Sequence, residues 1–248
     1  MAKMKEISLE EYLFRIYQDK KQISINLSSY IQEEIKLKLK SKDRFQLCIP
    51  GGSTPKTVYQ LLSMSSLPWE RVDIFLGDER CVSPISNDSN ARMVRNTLLK
   101  DKASSASFFQ FFEAEDFDEI LSKNTFTKLL LSKCSGNIPT FDLTILGLGD
   151  DGHTASLFPY KKNNNDNEFL IFSEGNGIRR ISFTPRVFNA SKKIVFLVSG
   201  FSKQEAIRRL IDKNESTERT PAKLIKSKEK ISIFCDEEAY NDRLIKLA

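Results

Sequence analysis

The reading of this chain turns on Phe141-Asp142-Leu143-Thr144-Ile145-Leu146-Gly147-Leu148-Gly149-Asp150-Asp151-Gly152-His153-Thr154. Residues 141–146 form an apolar run with the length of a buried strand, and a glycine-rich polar turn follows it directly. Open α/β sheets place their ligands at the carboxyl ends of such strands. The turn carries His153, the one histidine among 248 residues. An unperturbed imidazole titrates closest to neutrality and is the commonest general base. A lone histidine can equally be structural, so its meaning depends on the rest of the chain.

Working outward, the strand–turn–helix pattern recurs. Residues 45–49 read as a short strand broken by Pro50-Gly51-Gly52-Ser53-Thr54, after which Pro55 suits the first helical position with Thr54 as N-cap. Val58, Leu61 and Leu62 supply that helix's buried face. Residues 72–76 read as a strand followed by a loop, Gly77-Asp78-Glu79-Arg80. Helices are expected over 90–99, 116–133, 202–211 and 237–246, and strands over 180–184, 193–199 and 231–234. The first forty residues read as helical: Ser8-Leu9-Glu10-Glu11 fits a capping box, and Ile23, Leu27, Tyr30, Ile31, Ile35 and Leu39 recur at helical spacing. Alternation of this kind predicts an α/β fold, a mostly parallel Rossmann-like sheet with helices on both faces. No Pro/Gly/Ser linker divides the chain, so residues 1–248 are expected to form a single domain. The polar tract 161–168 reads as a surface loop.

Composition narrows the partners. Lys and Arg total 38 against 33 Asp and Glu, a net charge of +5 that favours anionic ligands without indicating nucleic acid. Basic stripes interleaved with aromatics are absent, and Lys36-Leu37-Lys38-Leu39-Lys40 reads as a solvated helix face. Cys48, Cys81, Cys134 and Cys235 form no CxxC pair and have no histidine at metal spacing, which argues against a zinc site and a disulfide framework. The N-terminal residues lack a signal peptide's apolar core, and no apolar run reaches membrane-spanning length. A cytoplasmic, soluble protein is expected, a monomer or weak homo-oligomer with neither nucleic acid nor membrane as partner.

Four segments carry chemistry-bearing residues. Gly51-Gly52-Ser53-Thr54 precedes a helix, where backbone N–H groups and the helix dipole can cradle a phosphate; the P-loop spacing is absent, and a plain capped turn is the alternative. Asp78-Glu79-Arg80 packs three charges at a strand end, where an arginine can hold an anion or an oxyanion. In the histidine turn, Asp151 stands two residues before His153, close enough to fix the imidazole, while Asp150 and Asp151 would repel a pyrophosphate and so count against a dinucleotide cofactor. Finally, Ser199-Gly200-Phe201-Ser202-Lys203 brings a lysine into a helix's first turn, a mismatch with the dipole that a bound phosphate resolves. Arg179 and Arg180 can add to that positive pocket.

These residues carry a family resemblance. Gly51-Gly52-Ser53-Thr54-Pro55, Asp78-Glu79-Arg80 with Ser89-Asn90, residues 147–159, Arg180-Ile181-Ser182-Phe183-Thr184, and Ser199-Gly200 with Lys203 occur in the order of the glucosamine-6-phosphate isomerase/6-phosphogluconolactonase family. The tail Thr154-Ala155-Ser156-Leu157-Phe158-Pro159 resembles its lactonase branch; the deaminase branch has Ile-Gly-Phe-Asn-Glu-Pro there, and Asp-Glu-Tyr in place of Asp78-Glu79-Arg80. Pro50, Ser83-Pro84 and Ser86 depart from the pattern. The resemblance implies hydrolysis of 6-phospho-D-glucono-1,5-lactone to 6-phospho-D-gluconate, the second step of the oxidative pentose phosphate pathway, without metal or cofactor. It further implies His153 as base, Asp151 as its orienting group and Arg80 or nearby backbone N–H groups as oxyanion support. Ser53, Arg180 and Lys203 would hold the phosphate, Asp78 and Asn90 would meet the sugar hydroxyls, and Gly51, Gly52 and Thr54 would complete the substrate-binding set. Ser156 is a rival nucleophile. Two other readings are a glucosamine-6-phosphate isomerase/deaminase and a non-catalytic sugar-phosphate sensor.

Overall fold

The computed structural model describes residues 4–112, 118–163 and 167–245. In chain order the elements are β1 (Lys5–Ser8), β2 (Tyr12–Tyr17), α1 (Lys20–Lys38), β3 (Phe45–Ile49), α2 (Lys56–Ser63), β4 (Val72–Leu76), β5 (Asp78–Arg80), α3 (Asn90–Thr97) and β6 (Ser107–Phe109). There follow α4 (Glu119–Lys133), β7 (Leu143–Gly147), β8 (Leu170–Gly175), β9 (Ile178–Phe183), α5 (Pro185–Asn189), β10 (Lys193–Val198), α6 (Gln204–Ile211), β11 (Ile231–Asp236) and α7 (Asp242–Ile245). Among the described residues no helix is long and apolar enough to cross a membrane.

Eight strands form one sheet in the order β1-β2-β11-β10-β7-β3-β4-β6, parallel throughout except for the β1–β2 pair. Every residue of β3, β4 and β11 is buried. Successive strand residues point to opposite faces, so this burial means that both faces are covered. From β3 the chain adds β4 and β6 on one side; with β7, β10 and β11 it adds strands on the other. The sheet therefore reverses its order of growth between β3 and β7, and the segments 50–55 and 147–154 leave those strands at that switch point.

The structure corrects the reading of the N-terminus. Residues 4–17 are not helical: β1 and β2 form a hairpin, and Ser8-Leu9-Glu10-Glu11 is its connection, with Leu9 N–H donating to Tyr12 O at 2.9 Å. In Tyr12-Leu13-Phe14-Arg15-Ile16 the alternate residues Tyr12, Phe14 and Ile16 are buried, and this period of two in aromatic and β-branched residues prevails over a local capping pattern. The helix cap is Asp19, whose Oδ1 accepts from Gln22 N–H at 2.8 Å. Ile23, Leu27, Ile31, Ile35 and Leu39 are buried along α1, as their spacing requires.

Other boundaries shift. Helix α2 begins at Lys56 with Pro55 in the cap position and no side-chain cap, so Thr54 does not cap it; Leu61 is exposed while Val58 and Leu62 are buried. Residues 78–80 are a strand rather than a loop. Of the expected closing helix only Asp242–Ile245 is helical, because Asp236 Oδ1 accepts from Ala239 N–H and turns the chain first. Residues 116–117 of the expected helix 116–133, residues 164–166 of the polar tract and residue 246 lie outside the described residues; α4 is capped by Asp118.

A second sheet, β5-β9-β8, is antiparallel. Gly77 joins it to the first: its N–H donates to Ile49 O at 2.9 Å and its carbonyl accepts from Phe183 N–H at 3.0 Å. This small sheet carries Asp78, Arg80 and Arg180 over the switch point. Its base is an aromatic hub, Phe183, whose ring lies 5.3–6.2 Å from those of Phe111, Phe126, Phe141 and Phe188. Phe183 is fully buried. Phe183→Ala is expected to lower unfolding stability by about 3–5 kcal/mol, read by chemical denaturation; a loss under about 1 kcal/mol would show that the hub does not join the sheets.

Candidate active site

The histidine loop is shaped by its own backbone. Gly152 N–H donates to Gly149 O at 3.0 Å and Gly149 N–H to His153 O at 2.8 Å, closing a tight turn in which Gly152 has φ +88°. Glycine at 149 is required by proximity: a Cβ there would stand 2.1 Å from His153 Nδ1 and 2.7 Å from Asp151 Oδ1. Asp151 Oδ1 accepts from His153 N–H at 3.0 Å and lies 2.6 Å from His153 Nδ1. The imidazole's hydrogen bond is the main cause that holds the Asp151 carboxyl below its ordinary range, at about 2. An ionised carboxylate is acceptor-only, so Nδ1 is the ring nitrogen that donates to it, and in the neutral imidazole this leaves the lone pair on Nε2. Nε2 has no hydrogen-bond partner among the described residues. The imidazole also packs on Phe158, ring centroids 5.0 Å apart.

His153 lines a cavity of about 190 Å³ together with Gly51, Gly52, Asp78, Arg80, Asn90 and Arg180, with Lys203 at its edge. Lys203 also lines an adjoining pocket formed by Gly51, Gly52, Ser53 and Thr54 with Ser199. The crevice thus has two lobes, a glycine–hydroxyl turn with a lysine and an imidazole flanked by two arginines. Arg80 and Arg180 are directly opposite in the β5–β9 register, an unfavourable pairing of like charges. The Nε of each is buried without a hydrogen-bond partner, and burial followed by the Arg80 charge lowers the Arg180 pKa. Arg80 Nη1 donates to Asp88 O at 2.6 Å, and Arg180 stacks over Phe158, 5.4 Å from the ring centroid. A buried guanidinium beside a half-buried one favours an anion between them.

The residues singled out in the sequence converge, with differences of detail. Arg180 lies against Arg80, whereas Ser53 and Thr54 face Lys203. Arg179 is not in the crevice: it pairs with Glu119 on α4. Asp78 lines the cavity while its Oδ2 accepts from Ser156 Oγ at 2.5 Å, and its carbonyl accepts from Asn90 Nδ2 at 2.9 Å. Ser156 is fully buried and its hydroxyl proton is committed to Asp78, so it does not face the crevice as a nucleophile. Gly51 is needed because a Cβ there would stand 1.9 Å from Asn90 Oδ1. Lys203 pairs with the Asp150 carboxylate.

Three contributions escaped the sequence reading. Glu79 is buried and its carboxylate accepts from Arg80, Asn90 and Ala91 N–H at 2.7–2.8 Å, which fixes the start of α3 and hence Asn90; burial raises its pKa against those bonds. Phe158, within the quoted tail, gives both His153 and Arg180 a ring to pack on. Arg209 hydrogen-bonds the histidine loop from behind; its signal was an arginine on the otherwise apolar face Ala206-Ile207-Leu210 of α6.

An imidazole with a lone pair in the same crevice as an anion cradle is equipment for acid–base chemistry on a small anionic molecule. Residues 18–233 match the family model described as glucosamine-6-phosphate isomerases/6-phosphogluconolactonase, and the chain belongs to that family. It is 35% identical over 198 residues to the 6-phosphogluconolactonase of Synechocystis sp., covering 78% of this chain and 82% of that one. It is 32% identical over 213 residues to the 6-phosphogluconolactonase of Thermotoga maritima, covering 83% and 92%. The crystal structure of a 6-phosphogluconolactonase from Shewanella baltica superposes with a TM-score of 0.81 at 26% identity over 90% of this chain and 97% of that chain.

The depressed Asp151 pKa has a stability consequence. A carboxyl whose folded pKa lies below its unfolded value of about 3.9 stabilises the fold above that value, and loses the contribution as pH falls through the folded pKa. Asp151→Asn is therefore expected to be less stable than the parent at pH 6, with the gap closing as pH falls from about 4 to about 2. Denaturation at stepped pH checks this; a gap that does not narrow would contradict it.

Proposed function

We propose that this chain hydrolyses 6-phospho-D-glucono-1,5-lactone to 6-phospho-D-gluconate, the second step of the oxidative pentose phosphate pathway, with His153 assisting attack by water. That the chain is a carboxylic ester hydrolase of the 6-phosphogluconolactonase kind follows from its curated relatives. The observation that carries the residue-level mechanism is the 2.6 Å contact between Asp151 and His153 Nδ1 at the wall of the two-lobed crevice.

In this mechanism the Gly51–Thr54 turn and Lys203 hold the phosphate, which places the lactone ring toward His153. Nε2 takes a proton from a water as its oxygen bonds to C1 of the lactone. The carbonyl electron pair moves to oxygen, and the resulting oxyanion lies near Arg80 and Arg180, where its charge offsets their mutual repulsion. Collapse of the tetrahedral intermediate breaks the bond from C1 to the ring oxygen, which takes the proton back from Nε2. The new carboxylic acid then ionises, releasing one proton to solvent. Asp151 stays ionised and stabilises the transient imidazolium, as the carboxylate does in triads. Asp78 and Asn90 border the same cavity, where they can meet sugar hydroxyls.

The test is an assay that generates the lactone with glucose-6-phosphate dehydrogenase and follows its loss above the spontaneous rate. Turnover of glucosamine 6-phosphate in its place would favour the isomerase/deaminase reading. Binding without turnover would favour the sensor. His153→Ala is expected to lower kcat by roughly 10²–10⁴ with folding intact; activity within a few-fold of the parent would remove the base assignment. Lys203→Ala is expected mainly to raise KM, by about 10- to 100-fold. An unchanged KM would take Lys203 out of the phosphate lobe.

A further inference from the structure

Behind the histidine loop lies a buried cation that the proposed chemistry does not use. Arg209, on α6, is 6% exposed. Its Nη2 donates to the main-chain oxygen of Asp150 at 2.9 Å, its Nε has no hydrogen-bond partner, and the nearest carboxylate oxygen is Glu205 Oε1 at 3.9 Å. Burying a guanidinium costs several kcal/mol unless its partners compensate, so a site that keeps one for a single hydrogen bond and a half-exposed carboxylate 3.9 Å away is a poor stability device. Aliphatic residues would serve that face of α6 better.

The same aspartate has a second cation on it. Lys203 pairs with the Asp150 carboxylate and also lines the phosphate lobe. A lysine that turns to a substrate phosphate gives up that carboxylate, and the loop would lose a restraint at the moment His153 must be in place. Arg209 holds a different atom of Asp150 and is not among the residues that line the crevice. The far side of the loop is tied as well: Ala222 N–H donates to Gly152 O at 3.0 Å, and Thr220 packs so closely that a Cβ on Gly152 would meet it at 3.0–3.1 Å.

We propose that Arg209 is a positioning residue: by holding the Asp150 carbonyl it keeps Asp151 and His153 in register while Lys203 exchanges the Asp150 carboxylate for the substrate's phosphate. The proposal rests on His153 being the base. Small displacements of a catalytic group cost rate far more than binding. The loss therefore belongs in kcat, whereas loss of Lys203 belongs in KM.

The experiment compares Arg209→Met, which fills the site but cannot donate, with Arg209→Lys, which can, in the full chain and with the lactone as substrate. Arg209→Met is expected to lower kcat on the order of 10- to 100-fold while KM stays within about threefold. Its Tm should not fall, since the substitution removes a buried charge whose desolvation the one carbonyl does not offset. Arg209→Lys is expected to recover most of kcat. Parental kcat in Arg209→Met overturns the proposal. So does a methionine variant that fails to fold, or one whose kcat and Tm fall together without recovery by lysine, because the guanidinium then serves stability. His153→Ala, measured alongside, separates the two claims: an active His153→Ala refutes the base assignment, whereas an inactive one beside a fully active Arg209→Met refutes the role of Arg209 alone.

Discussion

A parallel sheet that grows outward from its middle in both directions leaves one place that neither set of crossovers covers. Here that place is the gap between the carboxyl ends of β3 and β7, since β3 is followed on one side by β4 and β6 and β7 on the other by β10 and β11. Everything chemical in this chain is arranged around that constraint. The turn after β3 supplies backbone N–H groups and hydroxyls, the turn after β7 supplies the imidazole, and the turn after β10 supplies Lys203. The small second sheet, tied on through Gly77, completes the crevice with Asp78, Arg80 and Arg180.

The balance of charges in this crevice is uneven in an informative way. Lys203 has its own carboxylate in Asp150, while Arg80 and Arg180 face each other and neither forms an ion pair among the described residues. In the proposed mechanism Lys203 exchanges one anion for another, and the arginine pair receives negative charge as it develops. The imidazole, which lies in the lobe of the arginines, is the base in that mechanism, and its contact with Asp151 fixes both its tautomer and its orientation. Being the chain's one histidine, it would there both accept the proton of the entering water and return it to the departing ring oxygen.

The parallel core was legible because its strands are short apolar runs ended by glycine, as in Val72–Leu76 and Leu143–Gly147, and nothing competes with that pattern. The N-terminal hairpin was not, because a serine and a glutamate three apart mimic a helix cap, while the decisive alternation from Tyr12 to Ile16 covers only one strand. Strand β5 was read as a loop because Asp-Glu-Arg has no strand propensity; it becomes a strand by pairing with β9, a contact about a hundred residues away in sequence. At the site, the residue types and their clustering were readable from the motifs. Partnerships were not: the commitment of Ser156 to Asp78 and the grip of Arg209 on Asp150 join segments that are distant in the chain, and the burial of Glu79 under α3 depends on how the loop after β5 folds back.

The central claim is that a sugar phosphate lies across the two lobes with its reacting carbon at His153. A crystal structure of the protein with 6-phospho-D-gluconate bound tests it most directly. The account predicts the phosphate on the Gly51–Thr54 turn with Lys203, and the C1 carboxylate between Arg80 and Arg180 within hydrogen-bond reach of His153 Nε2. A product bound in the reverse sense, with its phosphate between the arginines and C1 remote from His153, would contradict it.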